Sequence, residues 1–214
     1  MIGIIDYGLG NLFSLQSSIK EIGEEAVVTR DPEEIRRADR LILPGVGAFR
    51  DAAALLAKDG LGDLVKQEAA GGKPLLGICL GMQLLFDKGF EYGEYDGLGL
   101  IPGEIRDIRE RIPEGLKVPH IGWNRLQIRD RKNPLFDGVN DGDCVYFVHS
   151  YSAVTPEENV LATTEYGGGS QGERHGLSVP PGKKRYRGSE DPAELRRDGA
   201  LEWHEAYLRR ATAT

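Results

Sequence analysis

The chain has 214 residues, which is enough for one α/β domain with a well-buried core. Its formal net charge of −7 argues against nucleic acid as a partner, because such proteins need a surplus of Lys and Arg to replace the counterions on phosphates. The apolar runs are too short to span a bilayer and the first residues resemble a buried strand, so we expect no membrane contact and a cytoplasmic location. The two Cys and four His residues show no zinc spacing, which predicts no metal.

Short apolar runs alternate with amphipathic segments in the first half of the chain. The runs predict strands at 2–6, 26–29, 41–43 and 74–78. The helical spacing between them predicts helices at 12–22, from 31 onward, at 48–58, at 61–70 and beginning at 82–86. This alternation indicates an α/β fold with a mostly parallel central sheet and helices on both faces.

The pattern changes after Gly97, where strands follow one another without long helices. We predict strands at 98–101, 104–108, 123–128, 144–151 and 160–166, added to the same domain as antiparallel strands. Near residue 170 the chain becomes net positive and poor in apolar residues, and no strand pattern is visible. We therefore assign residues 1–167 to one domain and residues 168–214 to an irregular tail.

A cysteine lies at the predicted junction of the fourth strand and the next helix. Gly77 and Gly81 flank Cys79 two residues away on each side, which is the cysteine version of the G-x-S-x-G elbow. The helix N-terminus favours a thiolate, so we predict that Cys79 is a nucleophile, against the alternative that it fills a tight turn in the core. Cys144 alternates within a strand and is interpreted as a packing residue.

The turn that ends the third strand, Pro44-Gly45-Val46-Gly47, should approach the same edge of the sheet as Cys79. Two glycines in four residues allow peptide N–H groups to point inward, as an oxyanion hole requires. An ordinary turn would explain these glycines equally well. Only the combination with Cys79 favours the oxyanion site.

Six stretches of the chain carry a resemblance that extends from residue 1 to about residue 167. They are IDYGLGNL (5–12), LPGVGAF (43–49), GICLGMQLL (77–85), GLGLIPG (97–103), VPHIGWN (118–124) and YFVHSY (146–151). Together they resemble the glutaminase subunit of imidazole glycerol phosphate synthase, which acts in histidine biosynthesis. Other class I glutamine amidotransferases share the cysteine elbow but not the combination of the first and fifth stretches. The resemblance implies the class I glutamine amidotransferase fold, which is three-layered and flavodoxin-like.

The resemblance also implies an activity and a set of site residues. It implies that Cys79 attacks glutamine, forms a glutamyl thioester and releases ammonia, with no cofactor. Backbone of the following residues would stabilise the oxyanion: Gly45, Val46, Gly47 and Leu80. The following side chains match positions that line the glutamine site: Gln83, Glu91, Ser150 and Tyr151.

A separate (β/α)₈ cyclase subunit is the implied partner, in a heterodimer. It would receive the ammonia and make imidazole glycerol phosphate and aminoimidazole carboxamide ribonucleotide. The residues that match its docking face are Asn11, Pro119, His120 and Trp123. His149 is interpreted as a structural residue, because the catalytic base of the family lies further along the chain.

The sequence departs from the family near its end. There the family has histidine, proline and glutamate in succession, whereas His175 is followed by glycine and His204 by glutamate. A cysteine without its base is a weaker nucleophile, so we expect negligible glutaminase activity from the chain as written. Three alternatives stay open: an inactive protein that occupies the cyclase, another class I glutaminase such as that of pyridoxal phosphate synthase, and an unrelated cysteine hydrolase.

A shifted reading frame can restore the ending of the family. Each codon from residue 178 to residue 196 can be read starting at its second base. The residues of this chain then determine the first and third bases of every new codon, and only the middle base is free. With middle bases chosen to match, the translation includes QFHPEKSGTGAQKILRNF, and residues 172–177 likewise permit GNVMGC. The hypothesis is a frameshift between about Tyr166 and Gln171. The restored histidine then spans the codons of residues 180 and 181, and the glutamate those of 182 and 183.

Overall fold

Four parallel strands form the centre of the fold in a computed structural model, which describes residues 1–167, 173–178 and 186–189. They are β1 (Ile2–Ile5), β2 (Ala26–Thr29), β3 (Arg40–Leu43) and β4 (Leu75–Ile78). Their order in the sheet is β4-β3-β1-β2. β1, β3 and β4 are buried along their whole length because both faces of the sheet are covered. These strands confirm the predicted ones to within one residue at either end.

The helices are α1 (Leu12–Glu21), α2 (Pro32–Arg37), α3 (Phe49–Ala57), α4 (Leu61–Ala70) and α5 (Leu80–Gln83). Successive side chains of β3 point to opposite faces of the sheet. Leu41 and Leu43 belong to the apolar cluster that contains residues of α2, α3 and α4. Ile42 belongs to the cluster that contains residues of α1. The sheet therefore lies between two apolar layers, as the sequence predicts.

The predicted helix at 82–86 is wrong, because α5 makes a single turn and a strand, β5 (Phe86–Gly89), begins soon after it. The carbonyl of Leu84 accepts the N–H of Leu98 at 2.7 Å, and the carbonyl of Phe86 accepts the N–H of Gly99 at 3.0 Å. These carbonyls bond to a segment distant in the sequence instead of continuing a helix. The run looked helical because all of its side chains are buried.

Seven further strands follow: β6 (Tyr95–Asp96), β7 (Ile101–Asp107), β8 (His120–Arg125), β9 (Gln127–Ile128), β10 (Cys144–His149), β11 (Tyr151–Val154) and β12 (Val160–Tyr166). The predicted strands at 98–101 and 104–108 are a single strand, β7. The predicted strand at 144–151 is divided at Ser150, because β10 pairs with β8 whereas β11 pairs with β7. Ser150 therefore marks the point where the chain changes sheets.

Two strands lie in the tail that we expected to be irregular. β13 (Glu173–Ser178) pairs antiparallel with β12, and β14 (Tyr186–Ser189) pairs parallel with β4. The central sheet thus has the order β14-β4-β3-β1-β2. Backbone groups at a sheet edge are available for pairing with any extended segment, which explains strands without a strand-like sequence pattern. The remaining residues of the tail lie outside the described ranges.

Candidate functional site

Cys79 lies in the bend between β4 and α5, at the carboxyl edge of the parallel sheet. Its φ of 53° and ψ of −121° are rarely adopted by residues with a side chain and cost about 1–3 kcal/mol. Its carbonyl accepts the N–H of Met82 at 2.9 Å and the N–H of Gln83 at 3.2 Å, so the first turn of α5 holds the bend. The thiol is half-buried. This geometry is the strained elbow that the glycine spacing predicts.

The glycines around Cys79 are required by close approach of the backbone. A Cβ on Gly77 would lie 2.5 Å from the Cα of Met82. A Cβ on Gly81 would lie 1.9 Å from the carbonyl oxygen of Leu43. Backbone atoms cannot rotate away as a flexible side chain can, so neither position accepts a larger residue without moving the elbow.

The loop between β3 and α3 packs directly against the residues that follow Cys79. A Cβ on Gly45 would lie 2.8 Å from the nitrogen of Gly81 and 3.0 Å from the Cβ of Leu80. Val46 is exposed, and Gly47 has a φ of 97°, which favours glycine. The structure thus brings the predicted oxyanion loop and Leu80 together beside the nucleophile.

Tyr7, which lies in the first of the six matching stretches, supports this loop. Its buried hydroxyl donates a hydrogen bond to the carbonyl of Pro44 at 2.7 Å. Burial raises the pKa of Tyr7 far above its ordinary value, and a negative charge on Cys79 raises it further. The hydroxyl therefore stays protonated and remains a donor. The signal in the sequence was an aromatic residue two positions after β1, at the same sheet edge as Cys79.

Gln83 connects the elbow to the antiparallel strands. Its buried side-chain amide donates to the carbonyl of Tyr151 at 3.3 Å. Burial raises the pKa of the Tyr151 hydroxyl, and the charges of Asp107 and Glu91 raise it further. Ser150 precedes Tyr151 in the chain, so the structure brings Gln83, Ser150 and the backbone of Tyr151 together at the start of β11.

Glu91 caps α3. One of its carboxylate oxygens accepts the N–H of Phe49 at 2.7 Å, whereas the residue at the N-cap position, Ala48, makes no side-chain cap bond. A carboxylate at a helix N-terminus interacts favourably with the exposed N–H groups there. Glu91 therefore holds the end of the loop that begins at Pro44. Its role toward glutamine stays a prediction.

The expected contribution of a helix N-terminus to a thiolate needs correction. α5 contains four residues, so few peptide dipoles are aligned behind Cys79. A negative charge on the Cys79 sulfur would therefore be stabilised by individual N–H groups nearby and not by the aligned dipoles of a long helix. Leu80, Gly81 and the loop packed against them lie beside Cys79, and their N–H groups stay the predicted donors.

Several of the predicted docking residues lie on the surface. Asn11 is exposed and its side-chain oxygen caps α1 by accepting the N–H of Ser14 at 3.2 Å. Pro119 is exposed, and half of the Trp123 surface is accessible (50%). Phe13 is 81% exposed although it is not among the docking residues predicted from the sequence, and it interrupts the polar face of α1. Phe13 on α1 and Trp123 on β8 are thus large apolar side chains that are exposed in the isolated chain.

His120 does not contact solvent, which corrects its assignment to the docking face. Its side chain is 1% exposed and is stacked on the ring of Tyr166, with centroids 3.9 Å apart. A hydrogen bond of 3.1 Å joins it to His149, which is also buried. A docked partner could reach His120 only through the neighbouring residues of β8.

None of the helices in the described ranges has both the length and the apolarity that spanning a bilayer requires. Within the part of the chain that the structure describes, no group of three or more His, Cys, Asp or Glu side chains is arranged to hold a metal ion.

Comparison with known proteins identifies the family. Residues 3–178 match the family described as glutamine amidotransferase class-I. The imidazole glycerol phosphate synthase subunit HisH of Lactococcus lactis is 50% identical over 166 residues, which are 78% of this chain and 80% of that protein. The same subunit of Geobacillus thermodenitrificans is 51% identical, covering 78% of each chain. The chain belongs to the HisH family of class-I glutamine amidotransferases.

Membership in this family agrees with the resemblance found in the sequence. Similar solved structures include "Crystal structure of glutamine amidotransferase", with a TM-score of 0.70 and 21% identity over 98% of each chain. "Structure of PurLQS from Thermotoga maritima" has a TM-score of 0.70 and 17% identity, covering 98% of this chain and 97% of that one. These structures confirm the predicted class I amidotransferase fold. The HisH matches favour this family over the glutaminase of pyridoxal phosphate synthase.

Proposed function

We propose that this chain is the glutaminase subunit of an imidazole glycerol phosphate synthase, acting in histidine biosynthesis. The observation that carries the proposal is the strained bend at Cys79 with the loop of Gly45 packed against Leu80 and Gly81. A nucleophile beside a set of backbone N–H groups is what acyl transfer requires. Family membership supports glutamine as the acyl donor.

The chemistry follows from these positions. The sulfur of Cys79 attacks the carboxamide carbon of glutamine, and the carbonyl oxygen becomes an oxyanion that backbone N–H groups of Gly45, Val46, Gly47 and Leu80 stabilise. The proton of the Cys79 thiol passes through a general base to the leaving nitrogen, the carbon–nitrogen bond breaks, and ammonia leaves; the histidine expected to carry this proton is absent from the chain as written. Water hydrolyses the thioester and releases glutamate. The side chains proposed to bind glutamine are Gln83, Glu91, Ser150 and Tyr151.

The proposed partner is a (β/α)₈ cyclase subunit in a cytoplasmic heterodimer. It would use the ammonia in the lyase step that makes imidazole glycerol phosphate and aminoimidazole carboxamide ribonucleotide. Support for docking on β8 comes from the exposure of Ile121 and Trp123 on one strand, and Phe13 of α1 is also exposed, because large exposed apolar side chains often mark interaction sites. The net charge of −7 speaks against nucleic acid.

The chain as written lacks the histidine and glutamate that would complete the site. We propose that a frameshift near residues 166–171 replaced the ending of the domain, so that residues 168–214 are a substituted tail. The HisH relatives support this boundary, since their matches span 78% of this chain. General acid–base catalysis contributes about 10²- to 10⁴-fold to such reactions, and we expect turnover of the chain as written to be reduced by that factor.

The experiment compares three purified full chains, each with the cyclase subunit. They are the chain as written, a chain with the restored reading frame, and the restored chain with Cys79→Ser. We expect glutamine hydrolysis only from the restored chain, and we expect alkylation of Cys79 by a chloroketone analogue of glutamine in both chains that keep the cysteine. Nucleotides incompatible with the shifted frame, or full activity of the chain as written, would contradict the tail proposal.

The same experiment tests the inactive alternative. A chain as written that binds the cyclase and is alkylated slowly, without turnover, would act as a silent partner. A restored chain that neither hydrolyses glutamine nor reacts with the chloroketone would overturn the proposed glutaminase function.

A further inference from the structure

The start of β11 carries part of the proposed glutamine site and lies at the edge of its sheet. Among the described strands the order is β11-β7-β5-β6, so β7 is the strand neighbour of β11. Directly before β11, at Ser150, the chain changes sheets. A strand at an edge is held by one ladder of backbone bonds. Contacts from side chains therefore contribute more to the position of Ser150 and Tyr151.

The segment directly after β7 supplies such contacts. The N–H of Ile108 donates to the carbonyl of Ser150 at 3.0 Å. The guanidinium of Arg111 donates through one terminal nitrogen to the hydroxyl of Ser152, and through the other to the carbonyl of Ala153 at 3.4 Å. Ser152 is buried and Arg111 is half-buried, so these bonds form away from bulk water.

The same guanidinium lies near the polar groups that meet at Tyr151. The Nδ1 of His149 lies 3.1 Å from the carbonyl oxygen of Tyr151, and this carbonyl also accepts the side-chain amide of Gln83. Burial lowers the pKa of His149 to about 4, and the positive charge of Arg111 lowers it further. Arg111 therefore bonds to the two residues that follow Tyr151 and is close to a residue that contacts its carbonyl.

The chemistry of arginine suits this position. A guanidinium is planar and has several N–H donors in a fixed arrangement, so it can bond two acceptors at once. Lysine keeps the charge and can donate to one of the two acceptors. Methionine keeps an unbranched apolar stem and has no donor, so the two substitutions separate the bonds from the packing of the stem.

We propose that Arg111 is a positioning residue for the glutaminase reaction, which holds β11 so that the backbone of Ser150 and Tyr151 keeps its place beside Gln83. The inference rests on the proposed function. Arg111 acts through β11 and not on the reacting atoms. Its loss should therefore weaken the binding of glutamine and leave the reactivity of the Cys79 sulfur unchanged.

The test measures alkylation of Cys79 in the full chain, which needs no turnover. Mass spectrometry of peptides distinguishes Cys79 from Cys144. The rate is measured against the concentration of the chloroketone analogue of glutamine, which gives a half-saturating concentration and a maximal rate. Iodoacetamide, which has no amino-acid group, reports on the reactivity of the sulfur alone.

We expect Arg111→Met to raise the half-saturating concentration of the chloroketone about tenfold, as the loss of hydrogen bonds to a charged group predicts. The maximal rate and the rate with iodoacetamide should stay unchanged. Arg111→Lys should restore most of the affinity. Ser152→Ala removes one acceptor and should have a smaller effect in the same direction. This effect should largely disappear when Arg111→Met is already present, because the two side chains act through one contact.

The matched control is Arg109→Met. It removes the same charge from the same segment, but Arg109 is exposed and its guanidinium bonds to Asp107 at 2.9 Å. We expect its half-saturating concentration to equal that of the unaltered chain.

Three results would overturn the positioning role. The first is an Arg111→Met chain that unfolds more easily in urea but keeps the half-saturating concentration of the control, since Arg111 would then contribute to stability alone. The second is an equal loss of reactivity toward iodoacetamide, which would mean that the elbow itself has moved. The third applies if Arg111→Met does not fold, and it is an unchanged half-saturating concentration in Ser152→Ala. An unaltered chain that reacts with iodoacetamide but shows no saturation with the chloroketone would instead overturn the proposed function, and the positioning role with it.

Discussion

The two sides of the candidate site are held by different forces. On the side of Cys79, backbone packs against backbone, and glycines at positions 77 and 81 leave no space for a Cβ. On the side of Tyr151, buried polar side chains make the contacts, through Gln83 and the histidine pair. The first side is therefore fixed by shape, whereas the second is fixed by contacts between buried polar groups that can titrate. We therefore expect substitutions that cause steric overlap to disrupt the side of Cys79, and changes of pH to disrupt the side of Tyr151.

Gly81→Ala should have the largest effect. Its Cβ would lie 1.9 Å from the carbonyl oxygen of Leu43, and this oxygen belongs to a buried strand that cannot move independently. We expect the free energy of unfolding to fall by about 4 kcal/mol or more, as for other severe overlaps in a packed core. Urea unfolding measures this change, and alkylation of Cys79 reports on the elbow in any chain that still folds.

Gly71→Ala is the matched control for this overlap. Its Cβ would lie 3.3 Å from the nearest backbone oxygen, and its φ of −67° suits alanine. We expect a change within about 1 kcal/mol in either direction. A Gly81→Ala chain as stable as the Gly71→Ala chain would mean that shape does not fix the elbow.

The histidine pair should make stability depend on pH. The pKa of His149 in the folded chain, about 4, lies below the ordinary value of 6.5, so the unfolded chain takes up the proton first as the pH falls. The contribution of neutral His149 to stability is therefore fully present above about pH 6.5. As the pH falls to 4, the free energy of unfolding declines by about 3 kcal/mol, which is the amount that this pKa shift corresponds to. Urea unfolding at several pH values measures the decline.

His149→Asn separates this contribution from the titration of carboxylates elsewhere in the chain. The variant lacks the buried imidazole, so its stability should decline less than that of the unaltered chain between pH 6.5 and pH 4. Parallel pH profiles of the two chains would show that the imidazole of His149 titrates normally and that the second side of the site is not controlled by protonation.

The sequence predicted the first side of the site better than the second. Glycine spacing around Cys79 reflects local sterics, so it can be interpreted without a structure, and the elbow and its packed loop were found. The contacts of His120 depend on a strand pairing that joins residues distant in the chain, and its burial was therefore missed. The buried run at 82–86 looked helical, and the hydrogen bonds from the carbonyls of residues 84–86 to residues 98–100, which make it non-helical, likewise join segments distant in the chain.

Tyr7→Phe should have the smallest effect of these changes, and it tests whether shape alone fixes the loop. The variant keeps the ring but removes the donor to the buried carbonyl of Pro44. An unsatisfied buried acceptor costs about 1–3 kcal/mol, so we expect a loss of stability in that range. We also expect slower alkylation of Cys79, because the carbonyl of Pro44 lies directly before the proposed oxyanion loop.

Tyr95→Phe provides the control, since it removes a hydroxyl that donates to the carbonyl of Tyr92 at 3.2 Å in an exposed position. Water can replace that donor, so stability and alkylation should change little. A Tyr7→Phe chain that behaves like this control would show that packing of Gly45 against Gly81 holds the loop without the hydroxyl. If alkylation of Cys79 is slower in Tyr7→Phe but not in Tyr95→Phe, the hydrogen bond from Tyr7 to Pro44 also helps to hold the side of the site that is otherwise fixed by shape.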